Sequence, residues 1–166
     1  APDPVPTDIM RQVQDQAEAS NAANRVSLNG MNPNDILELA NTGDKYAQFL
    51  FLLLYAEGGS GFAQNYGEAA RWYRRAARQN YPKAQYNLAL LYEDGRGVEQ
   101  DYNQASQWYT QAAKGGFTKA KNNLGILYVL GKGVKKDHKV AAKLFGQAAR
   151  EGDVDAAYNL SRLQKG

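Results

Sequence analysis

A chain of 166 residues fits either one compact domain or an array of small repeats. Its 20 basic and 17 acidic residues give a net charge of +3 and are mixed along the chain. The sequence therefore has no basic stripe, which argues against nucleic-acid binding. The lack of cysteine excludes disulfides, thiol nucleophiles and cysteine-ligated metals, and the longest apolar run, residues 49–56, is too short for a membrane span of about 20 residues. Abundant Ala, Leu, Gln, Lys and Arg favour an all-α protein.

The first 33 residues differ in composition from the repeats that follow. They are predicted to form an N-terminal extension, with a short helix at about 8–20 followed by a linker. The helix either packs on the first repeat or reaches a groove, a partner or a neighbouring copy. The chain begins with Ala1 and is proline-rich there, as after removal of a signal peptide. We therefore expect a periplasmic or secreted bacterial protein, although a trimmed expression product would begin in the same way.

Three aligned copies of one motif follow. The segments at residues 47–55, 84–92 and 120–128 share an opening alanine and a closing leucine-tyrosine pair, at a period of 84 − 47 = 37 and 120 − 84 = 36 residues. Apolar positions within each copy recur at the spacing of one helix face, so each unit is predicted to be a helical hairpin. The predicted order is a half-repeat at 34–46, repeats at 47–83, 84–119 and 120–155, and a C-terminal cap helix at 156–166.

The residues at the helix ends support this interpretation. Side chains able to cap a helix N-terminus precede each second helix: Asn65, Asp101 and Asp137, with Glu68 and Gln104 three residues later as in a capping box. Residues that readily adopt the left-handed conformation follow each second helix: Gly43, Asn80, Gly116 and Gly152. The glycine pairs between the two helices of a hairpin are interpreted as tight turns rather than as a phosphate site.

The combined pattern A-x-x-N-L-G-x-L-Y, G-x-G-V and D-x-x-x-A-x-x-W-Y-x-x-A-A resembles the Sel1-like repeat family, which is related to tetratricopeptide repeats. The resemblance covers residues 34–166. It departs at residues 50–52 and at Leu144-Phe145, which stand in place of Asn-Leu-Gly and Trp-Tyr. The resemblance implies a right-handed α-solenoid of about three and a half antiparallel hairpins, with a concave surface for partner proteins and with no catalytic residues or cofactors.

By analogy with related repeats, the concave side is predicted to carry residues two, six, nine and ten positions after the opening alanine of each first helix. We call the residues selected from these positions the predicted strip: Phe49, Leu53, Glu57, Tyr86, Leu90, Glu93, Asp94, Asn122, Ile126, Val129, Leu130, Tyr158 and Arg162. The apolar members exceed what the hairpin core requires, which is typical of an interaction surface. Alternatively, tight curvature hides Leu53, Leu90 and Ile126 among themselves.

No set of residues for catalysis stands out. The single histidine, His138, begins a second helix, and the adjacent Glu93 and Asp94 diverge by about 100° around a helix. The sequence therefore predicts a non-enzymatic module that binds one protein. The resemblance of exported Sel1-like proteins to partners that neutralise type VI secretion phospholipase toxins suggests an immunity protein. An envelope adaptor and a secreted host-directed factor remain alternatives, and homodimerisation is open.

Overall fold

The computed structural model describes residues 33–44, 47–48 and 66–165. This part of the chain holds helices and no strand, which confirms the all-α prediction. The helices are α1 Pro33–Asn41, α2 Tyr66–Arg78, α3 Pro82–Asp94, α4 Tyr102–Lys114, α5 Thr118–Leu130, α6 His138–Arg150 and α7 Val154–Lys165. The predicted N-terminal helix and linker lie outside the described residues. The chain divides into two compact units, residues 1–79 and 80–166.

The first unit contains α1 and α2. Ile36 and Ala40 of α1 are fully buried, as is the alanine-rich face of α2. Two glutamines stabilise the unit: the Gln48 side-chain amide donates to the Ala40 carbonyl at 3.0 Å, and the Gln79 amide donates to the Gln48 side-chain oxygen, also at 3.0 Å. Because Gln48 is only 3% exposed, these bonds satisfy a polar side chain that would otherwise be costly to bury.

The second unit contains α3 to α7, and each of these helices packs against the next. The connections alternate in length, with long loops at residues 95–101 and 131–137 and short turns at 115–117 and 151–153. This alternation follows the sequence repeat, so α3–α4 and α5–α6 are the two successive hairpins and α7 is the first helix of another. The unit is a helical solenoid segment, as the repeat predicted.

The predicted N-caps Asp101 and Asp137 are present, whereas the predicted capping box with Gln104 is wrong, because the Asp101 amide is bonded elsewhere. The Asp101 carboxylate accepts from the Gln104 amide at 3.0 Å, and the Asp137 carboxylate accepts from the Lys139 and Val140 amides. The backbone amide of Asp101 donates to the Tyr92 carbonyl at 2.9 Å, and that of Asp137 donates to the Tyr128 carbonyl at 3.0 Å. This backbone bond recurs in both hairpins and fixes the second helix onto the end of the first. In the first hairpin it occupies the Asp101 amide, which would donate to the Gln104 side chain in a capping box.

The predicted conformation of the residues that follow each second helix is also confirmed. The four residues that follow a second helix all have positive φ, with values of 99°, 57°, 88° and 96° for Gly43, Asn80, Gly116 and Gly152. A residue with a bulky or β-branched side chain would be strained there, which explains the restriction to glycine and asparagine. Because this conformation reverses the chain within three residues, it sets where each new first helix begins.

Leucines and alanines of the repeat form the core of the second unit. Leu88 and Leu127 are at most 1% exposed, and Leu91 and Leu124 are also buried. Each second helix contributes one large ring, Tyr109 in α4 and Phe145 in α6. A Cβ atom added at Gly125 would lie 2.6 Å from Phe145 Cε1, so the small residue is required there by the close approach of that ring. Ala89 occupies the same position in the preceding repeat.

Candidate functional site

The first helices of the second unit carry the described part of the predicted strip. Its residues lie on α3, α5 and α7, the helices that open successive repeats. Phe49, Leu53 and Glu57 lie outside the described residues, so their positions remain predictions. The remaining ten fall into exposed, half-buried and buried groups, and these groups differ in what a partner could contact.

Four residues of the strip are exposed: Asp94, Leu130, Tyr158 and Arg162. Leu130 and Tyr158 are 55% and 62% exposed, so both side chains are accessible to a partner. The Arg162 guanidinium lies over the Tyr158 ring at 5.8 Å from its centroid, near the outer limit for a cation–π contact. Among the ten described members of the strip, the exposed apolar side chains therefore lie toward the C-terminal end.

A groove lies between α5 and α7 at this end, with a volume of about 340 Å³. We call it the C-terminal groove. It is lined by residues of three helices: Ile126, Val129, Leu130, Phe145, Asn159, Arg162 and Leu163. Four of these seven belong to the predicted strip, so the structure brings those four together around one concavity. Its wall is apolar except for one amide and one guanidinium.

The α3 end of the strip is more closely involved in folding. The Tyr86 ring packs against Phe117 and Tyr109, with centroids 4.8 and 5.8 Å apart. Burial raises the pKa of the Tyr86 phenol, with a smaller contribution from the negative charge of Glu93. Leu90 is half-buried against the same cluster. A partner can therefore reach only part of these side chains.

Glu93 accepts a hydrogen bond that sequence reasoning did not foresee. The buried Tyr109 hydroxyl donates to Glu93 Oε2 at 2.5 Å and accepts from Asn123 Nδ2 at 3.1 Å. Burial and the bond to the Glu93 carboxylate raise the pKa of Tyr109 far above its usual range. The carboxylate of Glu93 thus stabilises the contact between α3 and α4. Asp94 is exposed, with its carboxylate 3.3 Å from the Arg96 guanidinium.

Asn122 has little surface for a partner, because it is only 8% exposed. Its side-chain oxygen accepts from Asn159 Nδ2 at 2.9 Å. This bond joins α5 to α7 beside the C-terminal groove and holds the two walls at a fixed separation. Asn159 and Leu163 were not among the predicted residues. The sequence indicated only that both residues share a helix with Tyr158 and Arg162. Which residues of that helix line the groove depends on how it packs beside α5 and α6.

The histidine and acidic side chains of the described residues are the candidates for metal binding. Within residues 33–44, 47–48 and 66–165, no group of three or more histidine, aspartate and glutamate side chains is arranged to hold a metal ion. His138 is exposed at the first position of α6. Among the helices of this part of the chain, none combines the length and apolar character that a membrane crossing requires.

Hairpins of this kind, with recurrent caps and a strip of surplus apolar side chains, define a helical-repeat protein. The Sel1 repeat model matches residues 46–81, 82–117 and 118–153. These three matches cover more than half of the chain, which therefore belongs to the Sel1 repeat family. Proteins of this family typically mediate protein–protein interaction and are generally non-enzymatic scaffolds. The chain matches no curated protein sequence.

Solved structures show the same fold. A Sel1 repeat protein from Oxalobacter formigenes is 39% identical, with a TM-score of 0.70, over 78% of this chain and 96% of that one. A protective antigen present in uropathogenic Escherichia coli strains, which displays an SLR fold, is 26% identical with a TM-score of 0.76; the match covers 93% of this chain but only 36% of that longer one. Helicobacter pylori cysteine rich protein B is 26% identical with a TM-score of 0.60, over 79% and 98% of the two chains.

Proposed function

We propose that this chain is a non-enzymatic module that binds one partner protein along the predicted strip, with the C-terminal groove as the main contact. The observation that carries the proposal is the convergence of Ile126, Val129, Leu130 and Arg162 on that groove. Grooves of a few hundred Å³ with apolar walls and a few polar groups are typical of binding sites.

The chemistry of the groove favours an amphipathic helix as the bound segment. Its apolar wall would accept side chains spaced at i, i+3 and i+4 on one face of such a helix. Arg162 at the rim would pair with a carboxylate of the partner, and this pairing would fix the orientation of the helix. Leu130 and Tyr158 expose more than half of their surface, so burial of each would contribute about 1–2 kcal/mol.

We further propose that the protein acts in the bacterial envelope, in the periplasm or after secretion, as an immunity protein that neutralises a phospholipase-type toxin of type VI secretion. The support is the resemblance of exported Sel1-like proteins to such neutralising partners. An adaptor for an envelope complex would use the same surface. Identification of the partner separates the two roles, because only an immunity protein abolishes the activity of what it binds.

The test begins with recovery of the partner from envelope extract on the immobilised protein, followed by measurement of the affinity of the purified pair by calorimetry. We expect Leu130→Ala/Tyr158→Ala to weaken binding at least about tenfold, since the lost burial exceeds about 1.4 kcal/mol. Lys139→Ala is the control, because Lys139 is exposed on α6 and lies outside the strip and the C-terminal groove. Equal affinity of the strip variant and the control would refute the proposed surface. A partner that retains its activity in the complex would refute the immunity role alone.

A further inference from the structure

A second groove lies among α4, α5 and α6, away from the predicted strip. Its volume is about 530 Å³. We call it the second-helix groove, because the C-terminal halves of two second helices form most of its lining. The lining residues are Thr110, Ala113, Lys114, Lys121, Leu124, Leu144, Gln147, Arg150 and Glu151. None of them belongs to the strip or to the C-terminal groove.

The groove coincides with a departure from the repeat. Leu144 occupies the position that holds tryptophan in the two preceding repeats, since 144 − 108 = 108 − 72 = 36. Trp72 is 3% exposed and Trp108 packs against the core cluster of its own unit. Leucine is much smaller than tryptophan, so the third repeat lacks an indole at the wall of this groove. Leu144 still packs against the core cluster, as Trp108 does, but its smaller side chain leaves room at the surface beside it.

The rim of the groove is positively charged. Lys114, Lys121 and Arg150 face one acidic residue, Glu151, which leaves a net charge of 3 − 1 = +2. Lys121 is paired with the Glu151 carboxylate, which also accepts from the Thr118 hydroxyl at 2.7 Å. Among the described residues, neither Lys114 nor Arg150 forms a salt bridge. Two cations at the groove therefore remain available to a ligand.

Lys114 and Arg150 each lie in the last turn of a helix, where a cation also offsets the partial negative charge of the helix end. That role explains why each residue is basic. It does not require both to converge on one concavity, nor does it require the loss of the tryptophan beside them. Ala113, Leu124 and Leu144 form an apolar floor beneath the cations and belong to, or pack against, the core cluster of the unit.

We propose that the second-helix groove binds a short acidic segment of a protein, with one large apolar side chain inserted where the repeat elsewhere has tryptophan. Lys114 and Arg150 would bind carboxylates on either side of that residue. Gln147 can bind the peptide backbone, and the Thr110 hydroxyl, which donates to the Ser106 carbonyl at 2.7 Å, can accept from a backbone amide. A net charge of two is small for a nucleic-acid backbone, where several phosphates must be neutralised. A cationic rim above an apolar floor instead fits an acidic peptide with an apolar anchor.

The probe is a blocked pentapeptide with one tryptophan between two pairs of glutamates, titrated into the isotope-labelled full chain and followed by amide chemical shifts. We expect saturable shifts at the groove residues and weaker binding at high salt, because exposed charges are screened. The same peptide with lysines in place of glutamates should cause no shifts there. Absence of shifts at about 2 mM peptide, or shifts confined to Leu130 and its neighbours in the C-terminal groove, would overturn the proposal.

Two variants test the groove itself. Leu144→Trp restores the residue of the other repeats and fills the groove, and it should reduce affinity at least about tenfold with the helical circular dichroism preserved. Lys114→Glu/Arg150→Glu leaves the core unchanged and should reduce affinity by a similar factor. Lys139→Glu, on the same helix as Arg150 but outside the groove, is the control and should bind as the unmodified protein does. Unchanged affinity of the charge-reversal variant would refute the proposal even if Leu144→Trp failed to fold.

Discussion

Replacement of Tyr109 by phenylalanine tests the polar contact that joins α3, α4 and α5. The substitution keeps the buried ring but removes the hydroxyl that donates to Glu93 and accepts from Asn123. Phenylalanine fits this position of the repeat, because the next repeat has Phe145 there. The expected cost therefore comes from the lost hydrogen bonds and not from a cavity.

The magnitude follows from the charge of the acceptor. A hydrogen bond to a charged group contributes about 1.5–3 kcal/mol, and removal of one member leaves the other partly desolvated without a partner. We expect Tyr109→Phe to lower the free energy of unfolding by about 2 kcal/mol in a urea titration followed by circular dichroism. Tyr158→Phe is the control and should leave the free energy of unfolding unchanged, because that side chain is 62% exposed.

The pH dependence gives a second measurement on the same pair. Because the folded protein raises the pKa of Tyr109, the phenol stays neutral where the unfolded chain already ionises, above its ordinary value of 10.0. Its contribution to stability is fully present below pH 10 and is lost as the pH rises further. Wild type should therefore lose more stability between pH 9 and pH 11 than Tyr109→Phe. Stability of the variant within about 0.5 kcal/mol of wild type at pH 7, with parallel alkaline profiles, would refute the reasoning.

Three further predictions concern individual contacts. Gly125→Ala should lower the stability of the protein by about 1 kcal/mol in a thermal melt, since overpacking against Phe145 costs more than the helix propensity of alanine gains. Gly146→Ala is the control and should raise the stability, because the nearest side-chain atom to the added Cβ is 3.6 Å away. Asp137→Ala should cost about 1 kcal/mol in urea through loss of the N-cap, and an unchanged midpoint would contradict the cap. Hydrogen bonds from Lys121 and Thr118 lower the pKa of Glu151. The stability that these bonds give is therefore present above the pKa of Glu151 in the unfolded chain and is lost as the pH falls through its pKa in the folded protein. In a carboxyl NMR titration, Lys121→Met should raise the pKa of Glu151.

The fold was predictable because each repeat carries its own local signals. Asp101 and Asp137 at the helix starts and Gly116 and Gly152 at the ends mark boundaries that depend only on nearby backbone groups. Gly125 was recognisable as a close approach because Ala89 occupies the same position of the repeat. Such features depend on short-range geometry, and comparison of the copies reveals them.

The candidate site was less predictable because it depends on contacts between repeats. Periodicity placed Ile126 and Arg162 on first helices, but the bond between Asn122 and Asn159 depends on how α7 packs against α5. Equally, the sequence gives no sign that Tyr109 would donate to Glu93, sixteen residues earlier. The replacement of tryptophan by Leu144 was visible in the sequence, but its association with a groove emerged only when α4 and α6 were in place.

The most direct test of the central claim is photo-cross-linking from single positions in the cells that produce the protein. A photoreactive phenylalanine analogue at Leu130 should give one covalent adduct of defined mass, while the same analogue at the exposed Lys139 of α6 should give none. That result would place the partner on the predicted strip and identify it by mass spectrometry. An adduct formed from Lys139 and not from Leu130 would contradict the account.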